Sequence, residues 1–402
     1  MTAYSIKDLG TIGGYHPVAI ALSDADVVAG HTSKNRPFRW SNGALQELPT
    51  GIFTNHGDVS GISPSQPERI VGGLWFGASH RAALWTNGVH TDLQPLLGGG
   101  FTGAVDINED GLVAAYSDDW AVRLNIVTKQ VEKLVMLNDA VTSIDSMNKA
   151  GNVVGITGKA PTNAYLYDKG LHVIKTPGPV TWDRVRVNDH GVVAATYDVP
   201  GHFHHAFTYD FKAKVFRDIH GGPFVSSITN GINNSGVVVG TGGDSFNQYA
   251  WVWTEADGMQ RLVDLIDASG WTLITATAIN EHGRIVGNGV HNGQDRAFLL
   301  TPIRPKAGNR PWPIDLVALV RELIVAGGGM GVLLPDGSII YPKDGPVDPD
   351  SPLQHFVAAR SDATIGLAMH VLASRISDPA TRAIAMKAAD DITKRAAESS
   401  DA

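Results

Sequence analysis

One motif recurs along the chain, and it constrains the fold more than any other feature. An apolar residue is followed by Asn, two variable residues, Gly, and then a β-branched pair closed by a small residue. It stands as Ile107-Asn108-Glu109-Asp110-Gly111, Met147-Asn148-Lys149-Ala150-Gly151 and Val187-Asn188-Asp189-His190-Gly191. Ile232-Asn233-Asn234-Ser235-Gly236 and Ile279-Asn280-Glu281-His282-Gly283 follow, and degenerate copies precede these at Leu22-Ser23 and Ile62-Ser63. Asn at the first and Gly at the fourth position of a turn is a type I signature. It joins two β-rich runs, so each copy predicts a hairpin. The closing small residues are Gly30, Gly72, Ala115, Gly155, Ala195, Gly240 and Gly287, at intervals of 40 to 47 residues.

Each unit continues into an Ala-aromatic run, as in Ala82-Ala83-Leu84-Trp85, Ala206-Phe207-Thr208-Tyr209 and Ala250-Trp251-Val252-Trp253. A tight turn and a fourth β-rich run follow, such as His90-Thr91-Asp92-Leu93. Four strands per repeat of this length make one propeller blade, and seven units predict an all-β, seven-bladed propeller. The seventh unit stops after its third strand at Thr301-Pro302. Tyr4 to Gly10 supplies a strand of the missing type, so the N-terminal strand is expected to close the ring and leave no open edge. An open β solenoid is the competing architecture.

The run Ile-Asn-x-x-Gly-x-Val-Val-Gly with a following Ala-Phe strand resembles the HAF-repeat family, whose His-Ala-Phe stands here as His205-Ala206-Phe207. Asp8-Leu9-Gly10-Thr11-Ile12-Gly13-Gly14 is similar to that family's fourth strand. The resemblance spans about residues 4 to 303. It implies a propeller and no settled activity. Members are mostly described as extracellular repeat proteins. This chain departs from them in showing no secretory leader and in carrying a C-terminal extension.

The organisation expected is a propeller at 1–303 and a small α-helical extension at 304–402. The extension begins with Pro305, Pro311 and Pro313. It contains a helix-periodic run from Leu316 to Ile324, a hairpin around Pro335-Asp336-Gly337, and two further helices from about Asp362 and Pro379. Packing on the propeller, or a homodimer through these helices, is its expected role. With no basic or apolar leader at Met1, the expected location is cytoplasmic.

Composition and missing motifs narrow the function. With no Cys there are no disulfides, thiolate metal sites or cysteine nucleophiles. A net charge of −8 disfavours a nucleic-acid partner. Charged residues interrupt every apolar run before the ~20 residues needed to span a bilayer, so no membrane partner is expected. Phosphate-cradling, nucleophile-elbow and zincin motifs are absent, and no nucleotide cofactor is expected.

Of 15 His, eight fall in segments that a propeller would place on one face: His16, His31, His56, His80, His202, His204, His205 and His291. His16 and His56 share a register, seven residues before the Asn-equivalent position, and Asp58 and Asp183 share another. His titrates near neutrality and an Asp can orient it. His16, His56, His80, His204, Asp58 and Asp183 are therefore the catalytic candidates. Trp75, Trp120, Trp182, Arg184, Tyr197, Tyr249 and His291 are the candidate walls and contacts for a small-molecule ligand. Neutral imidazoles also leave room for one divalent metal, held by His202 and His204 with His16 or His56. The expected function is an enzyme of lyase, hydrolase or cyclase type, acting on a small organic or sugar-like molecule at the channel mouth. A non-catalytic ligand-, glycan- or protein-binding propeller is the alternative.

Overall fold

A computed structural model describes residues 3–52, 56–137, 143–158, 161–181, 183–201, 203–243 and 247–303, together with two short strands, Val332–Leu333 and Ile339–Ile340. The chain divides into two compact units, Met1–Ile303 and Arg304–Ala402. In the second, Val332–Leu333 pairs antiparallel with Ile339–Ile340. The helices expected between 304 and 402 lie outside the described residues.

The first unit is an all-β, seven-bladed propeller. Seven four-stranded antiparallel sheets follow one another. Blade 1 runs from Pro17–Leu22 to Ala44–Glu47, blade 2 from Gly57–Ile62 to Val89–Asp92, and blade 3 from Thr102–Ile107 to Gln130–Met136. Blade 4 runs from Ser146–Met147 to Leu171–Ile174, blade 5 from Arg186–Val187 to Val215–Asp218, and blade 6 from Ser226–Ile232 to Gly258–Arg261. Blade 7 contributes Trp271–Ile279, Ile285–His291 and Gln294–Ile303. The N-terminal strand Ala3–Asp8 pairs antiparallel with Gln294–Ile303, matching Tyr4 to Pro302 and Asp8 to Phe298. The first strand of each blade lines one central cavity, through Ile20, Ser60, Asp106, Ser146, Arg186, Asn230 and Thr277.

The apolar core lies between blades. Seven clusters of buried residues occupy the seven interfaces. The Ala-aromatic strand explains how. Neighbouring side chains on a strand point to opposite sheet faces. Ala206 therefore packs toward blade 6 while Phe207 packs toward blade 4, and Ala297 packs toward blade 1 while Phe298 packs toward blade 6. A small face against a large face lets twisted sheets nest. The closing small residue of each repeat serves the same packing: a Cβ on Gly240 would overlap the Ile228 carbonyl and the Trp251 ring.

The repeated Asn does more than turn the chain. The five Asn residues of the complete copies are all buried. The Asn188 Oδ1 accepts from the backbone N–H of His190 and Val192, capping its own turn. Its Nδ2 donates to the carbonyl of Asn233 in the next blade at 3.1 Å. Asn108 reaches Lys149 at 2.9 Å, Asn148 reaches Asn188 at 3.2 Å, Asn233 reaches Asn280 at 3.1 Å, and Asn280 reaches Ser23 of blade 1 at 3.0 Å. A second circuit runs outside the first. Lys149 N–H donates to Asp189, Asp189 N–H to Asn234, and Glu281 N–H to Asp24. The degenerate copies use Ser23 and Ser63 to cap their own loops. Their stitches differ: Asp24 N–H to the Pro64 carbonyl, and the Arg69 guanidinium to the Glu109 carbonyl.

Asn188→Ala strands a buried carbonyl and two turn N–H groups, each worth about 1–3 kcal/mol when left unsatisfied. Partial relaxation brings the expected loss to roughly 3 kcal/mol in urea unfolding. His190→Ala, in the same turn but with only its backbone engaged, is expected to change stability by less than about 0.5 kcal/mol.

Candidate functional site

Asp58, on the innermost strand of blade 2, is the hub of the channel mouth. Its Oδ1 accepts from the Gly73 N–H at 2.9 Å. Its Oδ2 lies 3.5 Å from Nε2 of His80, and the Asp58 side chain is 46% exposed. His80 is only 5% exposed. Its Nδ1 lies 3.0 Å from the Thr102 carbonyl and 2.9 Å from the Tyr116 hydroxyl. With Nδ1–H donating to that carbonyl, Nε2 is the ring nitrogen turned to Asp58. That Nε2 is buried and has no hydrogen-bond partner among the described residues.

Aromatic rings enclose His80. Trp75 lies 4.7 Å away, Phe101 5.5 Å and Tyr116 6.3 Å between ring centroids. Trp75 and Phe101 are 41% and 42% exposed, and their rings meet edge to face at 6.2 Å. They offer a wall to solvent beside the carboxylate. Burial pushes the Tyr116 phenol up to about 12, with the Asp58 charge acting in the same direction. Burial lowers the nearby His31 imidazole, which Asp58 and Arg184 push in opposite senses.

Below the mouth the channel is crossed by charge. Arg186 donates through Nε to the Asn230 carbonyl and through Nη1 to the Asp145 carbonyl, both at 2.9 Å. Asp106 accepts from the Met147 N–H at 2.9 Å. The Asp145 carboxylate accepts from Ser143 Oγ at 3.1 Å and from the Val185 N–H at 3.3 Å. Each bond joins a blade to itself or to its neighbour, so the network braces the channel from within. Burial raises both carboxyls, Asp145 to about 6, while the Arg186 charge opposes the rise. Arg184, two residues before Arg186, is lowered to about 10, first by Arg186 and then by burial.

The other sequence candidates make contacts of their own. His16 lies 3.9 Å from Asp295, and His56 is an exposed loop residue. Asp183 accepts from Thr181 Oγ1 at 2.6 Å. His204 pairs with Asp198 at 2.7 Å, across the blade 5 hairpin. His291 stacks on Trp271 at 4.3 Å and meets Asp8 at 3.0 Å. Tyr197 is buried in the blade 4–5 core, with its hydroxyl on Asp218. Trp182 and His202 lie outside the described residues, so the candidate metal ligands His202 and His204 have no common geometry to report. Among the described residues no three His, Asp or Glu groups are arranged to hold a metal.

Trp120 and Tyr249 belong to a repeated outer ladder. In six blades the residue before the third strand's apolar run meets a fourth-strand partner, and in blade 4 Asn163 instead donates to the Pro161 carbonyl. The partners are ionic in Arg36–Glu47, Arg81–Asp92, His205–Asp218 and Arg296–Asp8. Trp120 takes Lys133 over its ring at 4.7 Å, and Tyr249 takes Arg261 at 4.3 Å, so these two blades carry a cation–π version of the same contact. Three of the acids also hold the chain beyond them, since Asp8, Asp92 and Asp218 each accept the N–H two residues on.

Sequence reading missed Asp106, Asp145 and Arg186 in the channel, and Phe101 and Tyr116 at the mouth. A signal existed for two of them. The position before the motif's apolar residue is Ala21, Gly61, Asp106, Ser146, Arg186, Gly231 or Ala278, charged in blades 3 and 5 alone.

The fold resembles solved propellers. The extracellular domain of BT4673 from B. thetaiotaomicron aligns at a TM-score of 0.51 and 9% identity, over 87% of this chain and 46% of that one. U3-55K aligns at 0.51 and 13%, over 74% and 98%. The chain thus spans less than half of the first of these. At such identities the likeness shows the fold alone. No family model and no curated protein matches the chain.

A carboxyl raised in the folded state stabilises fully below its ordinary value, and that stability is lost as pH rises through the folded value. For Asp145 the window lies between 3.8 and about 6. Unfolding free energy measured across it is expected to fall more steeply in wild type than in Asp145→Asn. Parallel curves would disprove the shift.

Proposed function

We propose that the protein acts on a small organic molecule at the channel mouth, with Asp58 as the group that exchanges a proton with it. The observation carrying this reading is the buried, unpartnered Nε2 of His80 turned toward a half-exposed carboxylate. His80 is too enclosed to touch a ligand, so it is a positioning residue: it orients Asp58 and receives or returns the proton. Trp75 and Phe101 supply an apolar wall. Proton transfer from a positioned group typically contributes about 10²–10⁴-fold, which suits elimination, hydration or hydrolysis. Binding without turnover is the second reading, favoured by the same exposed aromatic wall, which suffices to hold a ligand.

A panel of sugars, polyols, amino acids and organic acids tests both. At least one compound is expected to raise the Tm of wild type, and Asp58→Asn and Trp75→Ala are expected to lose that shift. NMR of the compound with wild type should show conversion. His80→Gln should lower kcat by about 10²-fold with KM little changed, and should move the pH–rate profile. A shift that survives in Asp58→Asn removes this site from consideration. Binding without conversion leaves the second reading.

The repeat pattern supports placing the chain with HAF-like proteins, and the Tyr4–Pro302 pairing supports a role for the N-terminal strand as the clasp of blade 7. Deleting residues 1–9 should expose the blade 7 edge and lower Tm by several degrees or more, since Tyr4 and Leu9 are both buried. An unchanged Tm would show that the ring holds without the clasp.

A further inference from the structure

The channel mouth also carries an unused positive charge. Arg184 leads into the innermost strand of blade 5, three blades on from the strand that carries Asp58 in a ring of seven. Arg184 is an exposed residue overall, and its guanidinium, crowded by Arg186, has no hydrogen bond or ion pair among the described residues. Arg184 and Asp58 feel one another's charge without forming an ion pair. A guanidinium beside a second one, Arg186, is better stabilised by an incoming anion than by water alone. On the opposite side, Asp58 Oδ1 is committed to Gly73 N–H, while Oδ2 has only the 3.5 Å approach of His80. The partly exposed rings of Trp75 and Phe101 stand 4.7 and 5.5 Å from the His80 ring that Oδ2 approaches. A carboxylate against aromatic faces is the chemistry that recognises an ammonium.

We infer that the ligand of this mouth is a compact zwitterion, an amino acid or betaine, whose ammonium meets Asp58 and the Trp75–Phe101 wall while its carboxylate meets Arg184. This rests on the channel-mouth reading above and names its ligand class. A molecule carrying both charges answers two opposite groups that form no ion pair with each other. A neutral polyol would leave the guanidinium unanswered, and a simple anion would face Asp58.

The test is isothermal titration calorimetry of the full chain against the twenty standard amino acids and trimethylglycine. The best binder is then compared with its decarboxylated amine and its deaminated acid. The zwitterion is expected to bind at least about tenfold tighter than either, as loss of one charge-assisted contact implies. Arg184→Ala should weaken the zwitterion by a similar factor and leave the amine unchanged. Asp58→Asn should weaken the zwitterion and leave the acid unchanged. Arg184→Lys should recover part of the loss, and unchanged Tm values in the free variants exclude misfolding. If no member of the panel binds, or if binding ignores Arg184→Ala, the inference fails. A sugar or polyol bound in an Asp58-dependent manner would overturn the zwitterion while keeping the site. No small molecule bound at all would sink both.

Discussion

A buried carboxamide that satisfies two blades at once is the interaction on which this propeller depends. A blade alone has one turn to cap and two apolar faces to cover. Asn is suited to the position because its oxygen accepts while its nitrogen donates, so one side chain closes its own turn and grips the next. Asp would lack the donor, and Ser would lack the reach. The turn is thereby coupled to the ring: the geometry that caps it also fixes the distance to the neighbouring sheet. Ala-against-aromatic packing then fills the space that the carboxamides have set.

The two ends of the channel follow different rules. At the Asn end the buried carboxamides answer the next blade, while Glu109, Lys149, Asp189, Asn234 and Glu281 line the cavity beside them. Deeper in, Asp106, Asp145 and Arg186 face each other, each only partly exposed. Their charges are costly to bury, and they are tolerated because each is hydrogen-bonded to a blade backbone. At the other end the constraint relaxes. Asp58 and Arg184 keep solvent contact, and rings that would pack inward elsewhere are left at the surface.

Much of the architecture was legible from the chain. Asn108, Gly111 and their repeats report turns by local chemistry, and Ala206-Phe207 reports a strand with unequal faces. Local chemistry could not reveal that the Nδ2 of Asn188 reaches across to the next unit, because that partner is 45 residues away and becomes adjacent only when the ring forms. The same limit governed the site. His80 and Asp58 were visible as residue types suited to proton transfer, but Tyr116 and Phe101 meet them only across a blade boundary. Tyr197 looked like a ligand wall because its strand points to the mouth; burial against Phe207 and Phe216 decides otherwise. Trp120 and Tyr249 hold a register position that reads as amphipathic, and the cation opposite each one appears only when strand pairing is known.

The stitches between blades differ in one respect that no single bond reveals. Those from blade 3 through blade 7 span 40 to 47 residues, short enough to form as each new hairpin docks on the last. The bond from Asn280 to Ser23 spans 257. Loop entropy rises by about 0.6 kcal/mol per doubling of length, so this contact carries roughly 1.5 kcal/mol more than its chemically identical neighbours. Joining the last blade to the first is thus the most non-local step of folding and the one expected to come last. Until it does, the arc ends in two bare faces: Phe38 and Trp40 on one side, Val286 and Leu299 on the other. These are the surfaces through which an unfinished ring would meet another chain.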